Sequence, residues 1–207
     1  MSNRFSRIVL AACGLLVRGG LVWYRLRKGV ARHYYRSQLK HCGENVRFDP
    51  LSSQIRYDEV ELGDNVYIGP GAVLGRTRIG NDVMLGPNVH VRNGHHSFEI
   101  IGQTIQGTFD PADDGPPVVI EDDVWIGQDV TVLAAGHIGE GAVIGTRSIV
   151  SRRVPPYVVA AGVPCRVLRK RFSDDELLEH LRRRGRDIEE ASAVVARRTL
   201  EMDAARS

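Results

Sequence analysis

Acidic residues are missing from the first forty positions of this 207-residue chain, a stretch that holds nine Lys or Arg. Lysine is scarce throughout: Lys28, Lys40 and Lys170 are the only three, so arginine supplies nearly all the positive charge. The formal net charge is +3, so the rest of the chain is acidic. A basic head on an acidic body excludes a general nucleic-acid-binding surface and leaves a local attraction for something anionic. Aromatics make up only 6% of the residues while glycines number 22. That balance points away from a helical bundle and towards many tight turns. Three cysteines (Cys13, Cys42, Cys165), odd in number and widely spaced, give neither a disulfide framework nor paired metal ligands, and suit a reducing cytoplasm. The remaining composition, 43% hydrophobic and 26% charged, is that of one globular domain with appendages.

Long hydrophobic runs are absent too. Ile8–Val17 is apolar over ten residues, half of the roughly 20 that a spanning helix needs. Arg18, Gly19 and Gly20 separate it from Leu21–Tyr24. Arg4 and Arg7 precede the run as in a signal peptide, and Leu10-Ala11-Ala12-Cys13 has the look of a lipoprotein cleavage site. Almost no apolar segment precedes that site, however, so cleavage is not expected. Further on, Trp23, Tyr24, Tyr34 and Tyr35 interleave with Arg25, Arg27, Lys28, Arg32 and Arg36. This pattern in residues 1–40 suits peripheral contact of a helix with an anionic membrane at headgroup level. It suits equally a basic helix that caps the main domain. Residues 1–41 are thus read as a basic, partly apolar helical segment.

From residue 42 the character changes and a six-residue period appears. Leu62, Ile68 and Leu74 are spaced by six, then Ile79, Leu85 and Val91, and then Ile120, Ile126, Val132, Ile138, Ile144 and Val150 without error. Glycine follows the aliphatic at positions such as 63, 69, 80, 86, 127 and 139, and a small or β-branched residue comes four after it. Six is neither a helical period nor strand alternation. It fits short strands, three to a triangular coil, with one aliphatic per side pointing into a thin core. The glycine after each aliphatic is expected to supply the backbone dihedrals of the corner.

With Ile79-Gly80-Asn81-Asp82-Val83, Asp122-Asp123-Val124-Trp125-Ile126-Gly127 and Ala160-Ala161-Gly162-Val163-Pro164-Cys165-Arg166-Val167, the chain resembles the hexapeptide-repeat acyltransferases over about residues 42–171. Within that family it looks most like the sugar and polysaccharide O-acetyltransferases, near the maltose and galactoside enzymes. The resemblance implies a mainly β fold, a left-handed parallel β-helix, with N- and C-terminal helices, a homotrimer, acetyl-coenzyme A as acyl donor, a saccharide acceptor and no metal. It implies direct transfer by an enzyme that is cytoplasmic, or peripheral on the inner face of the cytoplasmic membrane.

The period is lost between Val91 and Ile120, and a long excursion of this kind tends to be functional. The loop, residues 92–117, contains His95 and His96. Transfer of an acetyl group to a hydroxyl needs a base near neutral pKa, for which histidine is the usual choice. In register from Pro87-Asn88-Val89, the family's catalytic histidine falls on His96, with His95 as runner-up. A carboxylate or carbonyl should hold the other ring nitrogen; Glu99 is a weak candidate, and another coil could equally provide it. The resemblance also places Trp125 as an apolar wall near the thioester, Gln128 and Thr146 along the pantetheine arm, and Arg152 and Arg166 near the coenzyme's phosphates, which suit guanidinium. The bland readings are a bulky corner residue for Trp125 and a solvated basic tail for the arginines.

Departures from the family pattern are Arg147 where small residues are usual, Arg153 at an often acidic site, and His137 in an outward position, expected to be exposed. Two rivals share the fold. One is a γ-carbonic anhydrase-like metal enzyme, for which His90 and His95 would be two of three ligands. The other is a non-catalytic scaffold. In residues 172–207, Ser173-Asp174-Asp175-Glu176 reads as a capping box opening a helix packed on the solenoid. Its charges, Arg182, Arg183, Arg184, Glu189 and Glu190, are expected to be a solvated face.

Overall fold

One inward aliphatic in every six residues obliges the chain to turn a corner after each short strand. The computed structural model shows that outcome, and describes residues 2–205 except 95, 107, 109–115 and 135, with side chains of the first helix described from residue 19. Three sheets of six, six and five strands form the sides of a triangular left-handed β-helix. The first face carries His41–Cys42, Val60–Leu62, Thr77–Ile79, Val118–Ile120, His137–Ile138 and Arg153–Val154. The second runs from Tyr67–Ile68 through Met84–Leu85, Trp125–Ile126 and Val143–Ile144 to Val158–Ala161. The third carries Gln54–Ile55, Val73–Leu74, His90–Arg92, Thr131–Leu133 and Ile149–Val150. Neighbours are parallel except at the end, where Arg166–Lys170 turns back antiparallel on Val158–Ala161 and closes the stack.

Strand register converts the period into columns. Leu62, Ile79, Ile120, Ile138 and Val154 align on the first face. Ile68, Leu85, Ile126, Ile144 and Ala160 align on the second, and Leu74, Val91, Val132 and Val150 on the third. All are buried, as are the corner fillers Val66, Ala72, Val83, Val89, Val124, Val130 and Ala142. Each such aliphatic contributes about 1.5–3 kcal/mol through burial.

The glycines after the aliphatics do a different job from the one expected. The left-handed corner conformation falls two residues later, on Asn65, Asp82, Asn88, Asp123 and Asp129, with φ of 55–57°. Short polar side chains tolerate that region better than most. The glycines are instead sites of close approach between coils: a Cβ on Gly63, Gly69, Gly86 or Gly127 would come within 2.6–2.8 Å of backbone atoms in the next coil. The corner side chains also form ladders. The Asn45 amide donates to Asn65 over 2.9 Å, Asn65 to Asp82 over 3.1 Å and Asn88 to Asp129 over 2.9 Å.

Both ends of the solenoid are covered. Helix α1 (Ser2–Arg36) lays its C-terminal half on the first coil. Tyr35 stacks on Tyr57 at 4.8 Å, Lys28 pairs with Asp49 at 2.6 Å, and the Arg36 guanidinium donates to the Gly43 carbonyl. Capping is therefore part of what this segment does. Among the described residues no helix is long and apolar enough to cross a membrane.

At the other end, α2 (Asp174–Arg183) opens with the capping box on Ser173 and Glu176, and α3 (Ile188–Ala204) follows after a turn at Gly185, where φ is +85°. Leu177 and Leu181 are buried against Tyr157. Arg198 is fully buried and donates to the Phe172 carbonyl (2.9 Å) and to Asp174.

Two expectations change here. Arg184 is not merely solvated, since it reaches Asp82 and Asp123, both at 3.3 Å. His137 is half-buried rather than exposed, with Nε2 2.6 Å from Glu121, while Arg153 donates to its Nδ1 over 3.2 Å. Arg197 of α3 joins the same carboxylate at 2.5 Å. Burial alone would raise the Glu121 pKa, but hydrogen bonds from His137 and Arg197 outweigh it and bring it down to about 2.

Candidate active site

The loop holding the expected base leaves the third face after Arg92 and rejoins the first face at Val118. Its exit is pinned by Asn93, whose amide donates to the Arg76 carbonyl over 3.0 Å. Four residues beyond the strand, His96 is exposed, with Nδ1 2.8 Å from the carbonyl oxygen of Thr108. A carbonyl can only accept, so Nδ1 carries a proton; in the neutral tautomer of that arrangement the lone pair is on Nε2. The Thr108 hydroxyl lies 2.7 Å from the carbonyls of both Ser97 and Ile105 in the same loop, and its single proton goes to one or the other. The orienting group is thus a main-chain carbonyl of this chain rather than Glu99. The same loop carries four exposed apolar residues, Phe98, Ile100, Ile101 and Ile105. His95 lies outside the described residues, and with it the second histidine of the metal reading. Among the described residues no three His, Cys, Asp or Glu side chains gather as metal ligands would.

The residues expected to hold a coenzyme fall into two groups. Trp125 sits outward on the second face between Met84 below and Val143 above, 53% exposed. Gln128 follows at the corner between second and third faces, where its carbonyl accepts from Arg147 N at 3.0 Å. Thr146 lies directly above Gly127, its nitrogen 2.8 Å from where a Cβ there would stand. These three therefore line one edge of the prism. The histidine loop leaves from a different edge, between third and first faces.

The second group borders a cavity of about 760 Å³ between the last coil, the return strand and the end of α3. Arg152, Arg153, Arg166, Arg169 and Lys170 line it, with Glu201 as its carboxylate. Arg153 is engaged by Glu201 at 2.8 Å and Lys170 by Asp174 at 2.8 Å. Arg152, Arg166 and Arg169 border it with no carboxylate partner among the described residues, Arg166 and Arg169 donating to the carbonyls of Cys165 and Lys170, both at 3.0 Å. The basic tail is therefore a folded strand, Arg166–Lys170, which presents its charges to a cavity. Sequence reasoning missed Arg169, whose signal was the unbroken run of cations from Arg169 to Arg171. Cys165 also borders the cavity, but burial pushes its thiol up to about 11, and burial raises that of Cys42 too. Neither has the lowered pKa of a nucleophilic cysteine.

The arrangement has three parts: an exposed histidine bonded through Nδ1 to a main-chain carbonyl, an exposed tryptophan, and a cavity lined by cations. No family model matches the chain. By sequence it is 32% identical over 151 residues to an inferred acetyltransferase of Saccharomyces cerevisiae, covering 72% of this chain and 74% of the yeast protein. It is 33% identical over 135 residues to the galactoside O-acetyltransferase of Escherichia coli, covering 62% of each. Among solved structures, a hexapeptide-repeat acetyltransferase of Vibrio cholerae in complex with acetyl-coenzyme A superposes with a TM-score of 0.59 at 28% identity. That match covers 67% of this chain and 75% of the other.

Proposed function

The chain belongs to the hexapeptide-repeat acetyltransferase family, and from that premise we propose that it transfers the acetyl group of acetyl-coenzyme A to a saccharide hydroxyl, with His96 as general base. The observation that carries this reading is the 2.8 Å contact of His96 Nδ1 with the Thr108 carbonyl, because in the neutral ring that bond puts the lone pair on Nε2, the atom that would accept a proton. Bound coenzyme supplies an acyl group activated as a thioester. Nε2 accepts the proton of the acceptor hydroxyl as its oxygen attacks, and returns it to the departing sulfur, so the histidine ends the cycle neutral. Trp125 walls the acyl end, Gln128 and Thr146 follow the pantetheine arm, and Arg152 and Arg166 take the phosphates, helped by Arg169.

The protein works as a homotrimer in this reading. Support comes from the placement of the histidine loop and the Trp125–Thr146 edge on different edges of one prism, so that a neighbouring subunit completes each site. The acceptor is a polysaccharide or lipid-linked sugar, and residues 1–40 bring the enzyme to the anionic inner face of the membrane.

Calorimetric titration with coenzyme A tests the donor half without knowledge of the acceptor. Binding near one site per chain is expected, weakened about ten-fold by Arg152→Gln or Arg166→Gln and unchanged by His96→Ala. No binding to the folded trimer overturns the assignment. Coenzyme release with a panel of mono- and oligosaccharides then tests the acceptor half.

A further inference from the structure

From residue 19, where its side chains are described, helix α1 turns one face to the solenoid and leaves another exposed. Tyr24, Lys28, Tyr35 and Leu39 point to the first coil: the Tyr24 hydroxyl donates to Asp49 over 3.3 Å, and Leu39 is buried in the core. On a helix of 3.6 residues per turn, Val22, Leu26 and Val30, spaced by four, fall on the opposite side, with Trp23 and Tyr34 at the margin of that stripe. Those five are 56–72% exposed. Arg25 and Arg27 stand one on each flank of the stripe, and neither has a carboxylate partner among the described residues.

We propose that this stripe is the surface that lies on an anionic lipid bilayer, its apolar residues entering the headgroup boundary while Arg25 and Arg27 meet lipid phosphates on either side. The proposal rests on the placement of residues 1–40 at a membrane and specifies which side chains make the contact. Three features favour lipid over other occupants. The apolar side chains are central and the cations lateral, as an interfacial helix requires, whereas a nucleic acid would call for cations at the centre. Trp23 and Tyr34 are the aromatic types that settle at headgroup level. A second copy of α1 is disfavoured by charge: with no acidic residue in the first forty, two such helices would set arginine against arginine. Because the opposite face is clamped by the Lys28–Asp49 pair and the Tyr35–Tyr57 stack, binding would hold the first coil next to the membrane.

The test is co-sedimentation of the full chain with vesicles of phosphatidylcholine alone and of phosphatidylcholine mixed with phosphatidylglycerol. Binding to the mixed vesicles, weakened by salt, is expected. The paired change Leu26→Glu with Val30→Glu should reduce it by at least about ten-fold, and Arg25→Gln or Arg27→Gln by about five-fold each. Circular dichroism and light scattering establish that the variants are folded and unchanged in subunit number. Equal binding by wild type and the paired variant overturns the stripe while leaving membrane contact standing, and absence of wild-type binding overturns both. A changed subunit number in the paired variant overturns the proposal in favour of a second copy. Acetyl transfer to a soluble sugar, measured in parallel, reports separately on the enzymatic reading.

Discussion

At the scale of single residues, the reactive geometry depends on how one imidazole is held. Replacing His96 with alanine should lower kcat by roughly 10²–10⁴-fold with coenzyme affinity retained, as steady-state kinetics beside calorimetry would show. In the proposed reaction Thr108 is a positioning residue: its hydroxyl lies 2.7 Å from the carbonyls of Ser97 and Ile105, and its own carbonyl lies 2.8 Å from His96 Nδ1. Thr108→Ala should lower kcat several-fold with KM nearly constant, and Thr108→Ser, which keeps the hydroxyl, should restore it. A matched loss in kcat and affinity would mean that the loop has simply collapsed. The sequence offers His96 as a candidate because a titratable side chain in register leaves a mark. It could not reveal Thr108, because every residue has a carbonyl and only folding selects one.

Elements add a second kind of prediction, on packing. Gly69→Ala would drive a methyl group to within 2.6 Å of the Gly86 backbone, and overpacking of that kind costs about 1–3 kcal/mol. Gly19→Ala in α1 meets nothing within 4 Å and should leave the midpoint where it is or raise it. Thermal melts of the two variants compare these environments directly.

The Glu121 cluster predicts a pH dependence. Its folded pKa of about 2 lies below the ordinary glutamate value, so its stabilisation is complete above that ordinary value. It is lost as pH falls from there towards 2. Tm should therefore fall over that acidic range, and more shallowly in Glu121→Gln, because Arg197 of α3 loses one of the ties that hold that helix. The columns of aliphatics could be read from spacing alone, since a column needs only a period. The arginine clamps could not: Arg197 meets Glu121 across 76 positions and Arg184 meets Asp82 across 102, separations over which charge patterns carry no register. The same reason explains why His137 was misjudged, because its partner Glu121 is a neighbour only through the coil.

For the whole molecule, the proposed sharing of each site between neighbours has a countable consequence. His96→Ala subunits and subunits carrying Trp125→Ala with Arg166→Gln should each be nearly inactive alone. Mixed after dissociation and reassembly in equal amounts, they should regain roughly a quarter of wild-type activity, since a native loop meets a native groove at one interface in about four. No recovery in verified mixed trimers would place the whole site within one chain.

The corner ladders carry a last consequence. Asn65 and Asp82 are 17 positions apart and Asn88 and Asp129 are 41 apart, yet the two amide contacts are 3.1 and 2.9 Å long. The coil is indifferent to how much chain departs between one rung and the next. Drift in the sequence and length of that excursion is therefore uncoupled from the cost of folding, and lineages of this architecture can explore new acceptors by rewriting one loop while inheriting the scaffold unchanged.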